Sequence, residues 1–113
     1  MNSLLDQKRT NLQGCLDLIE SGDRICFAGG CNQPVAFMRQ FHTVAPRVQD
    51  VECIKSRSGD YEFITAPGMN GHINTGSPLY GEAFIEGMKH GNTSHIVCDI
   101  CDYSRFINEH NPC

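Results

Sequence analysis

The sequence predicts an α/β fold: a small, open, mainly parallel sheet with helices on its faces, in one domain covering residues 1–113. Three observations carry that expectation. Ile25 to Ala28 is a short continuous apolar run, the pattern of a strand covered on both sides. Gly29 and Gly30 follow it directly, and Pro34 stands where a helix can begin, because a first helical position has no use for the N–H that proline lacks. Val51 to Ile54 is a second apolar run. Strand, helix and strand therefore fit within about 30 residues, the size of a βαβ unit with parallel strands and a right-handed crossover.

The elements follow in order. Leu12, Cys15, Leu16 and Ile19 recur at helical spacing and predict a first helix from about Ser3 to Ser21, ended by a left-handed Gly22. Pro34, Phe37, Met38 and Phe41 predict a second, closed at Ala45-Pro46 because a residue before proline is pushed out of the helical region. From Ser56 to Pro78 turn signals dominate: Ser58-Gly59-Asp60, Ala66-Pro67-Gly68, Asn70-Gly71 and Thr75-Gly76-Ser77-Pro78. A long loop with one short strand around His72 to Asn74 is expected there. Tyr80, Phe84, Ile85 and Met88 predict a third helix, closed by Lys89-His90-Gly91. A third short strand is expected at His95 to Cys98. Asp102 can cap a last helix whose Tyr103, Phe106, Ile107 and His110 share a face.

Composition limits what the chain does. With 40% hydrophobic and 19% charged residues it has the make-up of a folded globular protein. A net charge of −4 argues against nucleic acid or an anionic membrane as partner. No apolar run is long enough to span a bilayer, and the first residues lead into charges rather than a signal-peptide core. Seven cysteines without a signal peptide are poor material for a disulfide framework, so reduced thiols and a cytoplasmic location are expected.

Three constellations bear chemistry. At the end of the first strand, Gly29, Gly30, Cys31, Asn32 and Gln33 occupy the place where open α/β sheets bind ligands, and they are substrate-binding candidates. The polar loop Met69 to Ser77 adds Asn74 and Ser77, whose amide and hydroxyl suit a substrate carboxylate or thioester carbonyl; an ordinary turn-rich surface loop would look the same. His95-x-x-Cys98-x-x-Cys101, followed by His110 and Cys113, offers zinc-type ligands, but the spacing is irregular and two of them fall on an expected strand. No metal is therefore expected.

The segment Lys8 to Phe41 resembles the start of the acetyl-CoA hydrolase/transferase family of CoA-transferases and acyl-CoA hydrolases. Gly22-Asp23-Arg24-Ile25 stands where the family's G-D-R-V leads into a strand, with Gly29-Gly30 at the strand end and Pro34 opening the next helix. The strand near Val51, the loop near Ser77-Pro78 and the helix Glu82 to Gly91 also resemble that family's N-terminal half; Asn92 to Ile96 lacks the proline usual there. The resemblance implies CoA transfer between carboxylic acids or thioester hydrolysis, with a coenzyme A thioester as substrate and an acyl-CoA or carboxylate ligand. It also implies a catalytic glutamate and most CoA contacts in a second α/β half. None of Glu20, Glu52, Glu62, Glu82, Glu86 or Glu109 matches that glutamate, so the isolated chain is expected to be inactive. A homo-oligomer, or association with a missing C-terminal half, follows, with Phe84, Ile85 and Met88 or the last helix near the contact. Two other readings stay open: a small zinc- or thiol-bearing interaction module, and a free-standing protein binding some other small ligand.

Overall fold

A computed structural model describes residues 3–55, 59–79 and 81–109. It is an α/β fold with a four-stranded, all-parallel sheet in the order β1-β2-β3-β4. The strands are β1 (Arg24–Phe27), β2 (Val51–Lys55), β3 (Ile73–Ser77) and β4 (Thr93–His95). Two short helices, α1 (Leu4–Lys8) and α2 (Leu12–Asp17), precede β1. Helices α3 (Val35–Gln40), α4 (Glu62–Thr65) and α5 (Glu82–His90) fill the three crossovers, and α6 (Tyr103–Glu109) follows β4.

Strand order dictates the layering. When each parallel strand is added beside its predecessor through a right-handed crossover, every crossover lands on the same side of the sheet. Accordingly α3 packs on α4 and α4 on α5, with α2 joining the layer beside α3. The core lies between this layer and the sheet face bearing Phe27, Val51, Cys53 and Ile73. Phe27 is at its aromatic centre, with ring centroids 5.9, 5.6 and 5.9 Å from Phe37, Phe41 and Phe63.

The first expected helix is broken in two. The Asn11 side chain accepts the Gly14 N–H at 2.8 Å and starts α2 afresh, a local bond that competes with continuing the helix. Of the apolar stripe only Leu16 is buried, and Arg47 ties α2 down by donating to the carbonyls of Leu16 and Ile19 at 2.7 and 2.6 Å. Gly22 does take the left-handed conformation, at φ 84°, and its N–H donates to Gln49 O, joining the turns that lead into β1 and β2.

The second expected helix also divides. It is α-helical only to Gln40, then 3₁₀ over Phe41–Arg47 with Pro46 inside. The Thr43 hydroxyl claims the Gln40 carbonyl at 2.6 Å, and Pro46 has no N–H with which to extend an α-helical ladder. The expected loop of residues 56–78 is wrong in its described part, because it contains α4 and the five-residue β3 rather than a short strand at 72–74. The strand predicted at His95 to Cys98 lies earlier, at Thr93–His95, although Ile96 N–H still bonds Ser77 O at 2.9 Å. Gly91 closes α5 at φ 79° as expected, and Phe84, placed near an interface, is instead fully buried. Ile85 and Met88 are exposed at 49% and 44%. Asp102 ends a 3₁₀ turn just before α6, where its carboxylate takes the Arg105 guanidinium at 3.0 Å. His110 lies outside the described residues. No helix among them is long and apolar enough to cross a membrane.

The opposite sheet face is covered more thinly. Ile96 folds across it so closely that a Cβ at Gly76 would lie 2.8 Å from its Cδ1. A cleft of about 320 Å³ remains, floored by Glu52, Ile54, Asn74, Gly76 and Ser94 and walled by Phe106 of α6.

Candidate ligand site at the carboxyl ends of the strands

Pairing in the sheet puts one residue of each strand in a row at its carboxyl edge. Phe27 stands beside Lys55, and Ser77 beside His95. Lys55 lies one step beyond the Ile54–Gly76 pair and so completes the row. Side chains alternate along a strand, so Val51, Cys53 and Lys55 share the helix-covered face. Lys55 is 1% exposed. Few lysines are buried so completely, because removing an ammonium from water is costly without compensating contacts. One such contact is the Tyr61 ring, whose centroid lies 5.2 Å from Nζ.

The loops after β1 and β2 meet above this lysine. Tyr61 opens α4, stacks on Phe63 at 5.8 Å, and donates its hydroxyl to Gln33 Oε1 at 3.2 Å. Gln33 lies in the loop after β1, where Gly30 to Asn32 form a 3₁₀ turn. Gly30 has φ 62°, with open space where a Cβ would stand, so backbone conformation rather than crowding demands glycine. Gly29 is extended, and Cys31 and Asn32 are exposed. Pro34 comes just before α3, and its carbonyl accepts the Met38 N–H at 3.0 Å.

Ser77 is completely buried, and its hydroxyl is engaged by its own loop: it donates to Leu79 O at 2.9 Å and accepts Leu79 N–H at 3.1 Å. It shapes the edge of the site and has its hydrogen bonds filled. The structure thus brings Gly29, Gly30, Cys31, Asn32, Gln33 and Ser77 to one edge of the sheet. Asn74 is set apart. It lies on the other face in the cleft beside Glu52 and Ser94, with its Oδ1 3.4 Å from Gly71 N.

Lys55 and Tyr61 carry little local signal in the sequence. A lysine at a strand end reads as an exposed terminus, and only its phase with Val51 and Cys53 signals burial. Tyr61 sits in a segment dominated by turn residues.

Two of the thiols sit in surroundings that keep them protonated. Burial pushes the Cys53 thiol well above its ordinary value, with the Glu52 charge adding to it. Burial also raises the Cys26 thiol, with the Tyr103 hydroxyl acting against the rise. Nucleophilic cysteines need the opposite environment. Among the described residues no three His, Cys, Asp or Glu side chains converge as a metal-ligand set, so His95, Cys98 and Cys101 do not assemble one; Cys113 lies outside those residues.

No family model and no curated protein matches the chain. Among solved structures it is similar to RipA from Yersinia pestis, known from its crystal structure, with a TM-score of 0.77 and 15% sequence identity. The match covers 93% of this chain and 27% of that one, so this chain spans about a quarter of its length. At this identity the likeness shows the fold.

Proposed function

We propose that this chain supplies the ligand-binding N-terminal portion of an acyl-CoA transferase or hydrolase, with the acyl-CoA or its carboxylate partner bound at the carboxyl edge of the sheet. The observation that carries the reading is the convergence there of the Gly29-Gly30 turn, Gln33 and the buried Lys55. Parallel α/β sheets bind ligands outside these strand ends. The resemblance of Gly22 to Pro34 to the acetyl-CoA hydrolase/transferase family supplies the choice of ligand. Lys55 places a positive charge at this edge, beneath the Tyr61 ring. No carboxylate nucleophile is assigned within the chain, so turnover requires one from another polypeptide segment, whether a second half or another subunit.

The test is titration of the ¹⁵N-labelled chain with acetyl-CoA. Shifts are expected at residues 29–33, at Lys55 and around Ser77, without release of free CoA. Shifts confined to Asn74 and Ser94, or no shifts at all, would overturn the reading. Binding of simple organic acids without any binding of acetyl-CoA would favour a free-standing small-ligand-binding protein.

A further inference from the structure

We propose that the cleft on the thinly covered face of the sheet is a second binding site, which holds the polar edge of a nucleobase between Glu52 and Asn74. It stands apart from the site at the carboxyl edge. It lies on the opposite face, uses none of that site's residues, and takes up Asn74, the sequence candidate that the edge leaves out.

The sheet sets the two polar groups side by side. Glu52 of β2 and Asn74 of β3 are partners in the parallel register, so their side chains leave the same face of neighbouring strands, roughly 4.8 Å apart. Existing bonds leave each with one complementary group. Arg24 Nε holds Glu52 Oε2 at 3.1 Å, which offsets part of the charge and leaves Oε1 as an acceptor. Gly71 N–H donates to Asn74 Oδ1 at 3.4 Å, which fixes the amide so that its NH2 is the group left to donate. On β4 the exposed Ser94 adds a hydroxyl that makes no hydrogen bond among the described residues.

Apolar side chains shape the space around this pair. Ile54 lies on the floor, and Phe106 of α6 forms a wall. A Cβ at Gly76 would stand 2.8 Å from Ile96 Cδ1, so glycine lets Ile96 come down onto the sheet and bound the cleft on the carboxyl side of Asn74. The volume of about 320 Å³ is at the lower end of small-molecule sites, roughly 300–1,000 Å³, and suits a single base with its sugar rather than a long cofactor.

An acceptor beside a donor, between apolar walls, complements a flat ring with one polar edge. Adenine is such a ring: its amino group can donate to Glu52 while the adjacent ring nitrogen accepts from the Asn74 amide, a bond that asparagine also makes to adenine in base recognition. A carboxylate would meet the charge of Glu52. A sugar alone would bury hydroxyls unpaired against Ile54, Ile96 and Phe106, which is costly.

Adenosine, its N6-dimethylated analogue and glucose are the probes, titrated into the ¹⁵N-labelled chain. Adenosine is expected to shift residues 52, 74 and 94. The analogue, which has lost the amino donor, should bind at least tenfold more weakly, and glucose should leave these residues unmoved. Asn74→Asp keeps the acceptor for Gly71 N and replaces the donor by a second carboxylate, so adenosine binding should fall at least tenfold. Glu52→Gln keeps the shape and removes the charge, and should cost about fivefold to tenfold. Ser94→Leu fills the floor of the cleft and should abolish binding. Should any variant fail to fold, the comparison of adenosine with its analogue on the wild type still decides the matter. No adenosine binding, shifts confined to the carboxyl edge, equal binding of the analogue, glucose binding as tight as adenosine, or full affinity in folded Asn74→Asp would each overturn the proposal. Failure with adenosine leaves the edge site untouched, since that reading stands on shifts at residues 29–33 and Lys55. Adenosine bound in the cleft, with no acetyl-CoA shifts at the edge, would do the reverse.

Discussion

Replacing Gly87 by alanine sets two opposing effects against each other on one atom. Gly87 is an interior residue of α5, where alanine is favoured over glycine by about 0.8–1 kcal/mol of intrinsic helix propensity. The new Cβ would stand 2.5 Å from Ile64 O and 2.5 Å from Thr93 Cγ2. Neither neighbour yields easily. Ile64 O is a main-chain atom that accepts from the buried Asn92 side chain at 3.1 Å, and Thr93 is held by its hydroxyl on Phe84 O at 3.0 Å. Overpacking a well-filled site costs roughly 1–3 kcal/mol, and with two anchored contacts the upper end applies. Net destabilisation of about 2 kcal/mol remains after the propensity gain is subtracted. For a chain of this size that lowers the Tm by roughly 6–10 °C. Urea unfolding of Gly87→Ala beside Gly14→Ala makes the comparison internal. At Gly14 the added methyl first meets the Thr10 hydroxyl, the end of a side chain that can turn away, so that variant should be neutral or stabilised by about 0.5 kcal/mol. A Gly87→Ala protein as stable as wild type would show that α5 and α4 are not packed this closely, and the reasoning would fail.

Two further outcomes are expected. Arg47→Met should cost about 2–3 kcal/mol by urea unfolding, since it leaves the Leu16 and Ile19 carbonyls without the guanidinium that serves both, and its effect should show first as loss of amide protection in α2. Stability should fall in alkali. Burial lifts the Cys53 and Cys26 thiols above 9.0 and takes the Tyr103 hydroxyl from 10.0 to about 12, with Cys26 and Cys98 adding to the last. These groups stay protonated in the folded chain after the unfolded chain has released its protons, so the stability they confer is complete below about pH 9 and is lost as pH rises towards 12. Tyr103→Phe should flatten the decline above pH 10, measured by unfolding across the range; an unchanged slope would refute the assignment to Tyr103.

The first βαβ unit was legible because its signals are local. An apolar run, two glycines, a proline at a helix start and a second apolar run each act through their own backbone, and β1, the 3₁₀ turn, α3 and β2 lie where they point. The segment from α4 to β3 was hidden because its burial is tertiary. Ile73-Asn74-Thr75-Gly76-Ser77 has one large apolar residue, and only its position between two strands makes Thr75 and Ser77 interior. The candidate site divides in the same way. Its glycine loop is written in residue types, whereas Lys55 and Tyr61 become a pair only when Gln33 on one loop reaches a hydroxyl on another.

The strictly sequential strand order has a consequence for how the chain comes to be folded. Every strand pairs with the one made just before it, so no part of the sheet must wait for a distant segment to arrive. Loop closure is the main entropic obstacle to parallel sheets, and here each closure spans a single crossover. A growing chain can therefore lay down β1, dock β2 on it once α3 has emerged, and continue in the order of synthesis. Each intermediate exposes one fresh edge, always that of the newest strand, and that edge is where any later strand would be added without rethreading what precedes it.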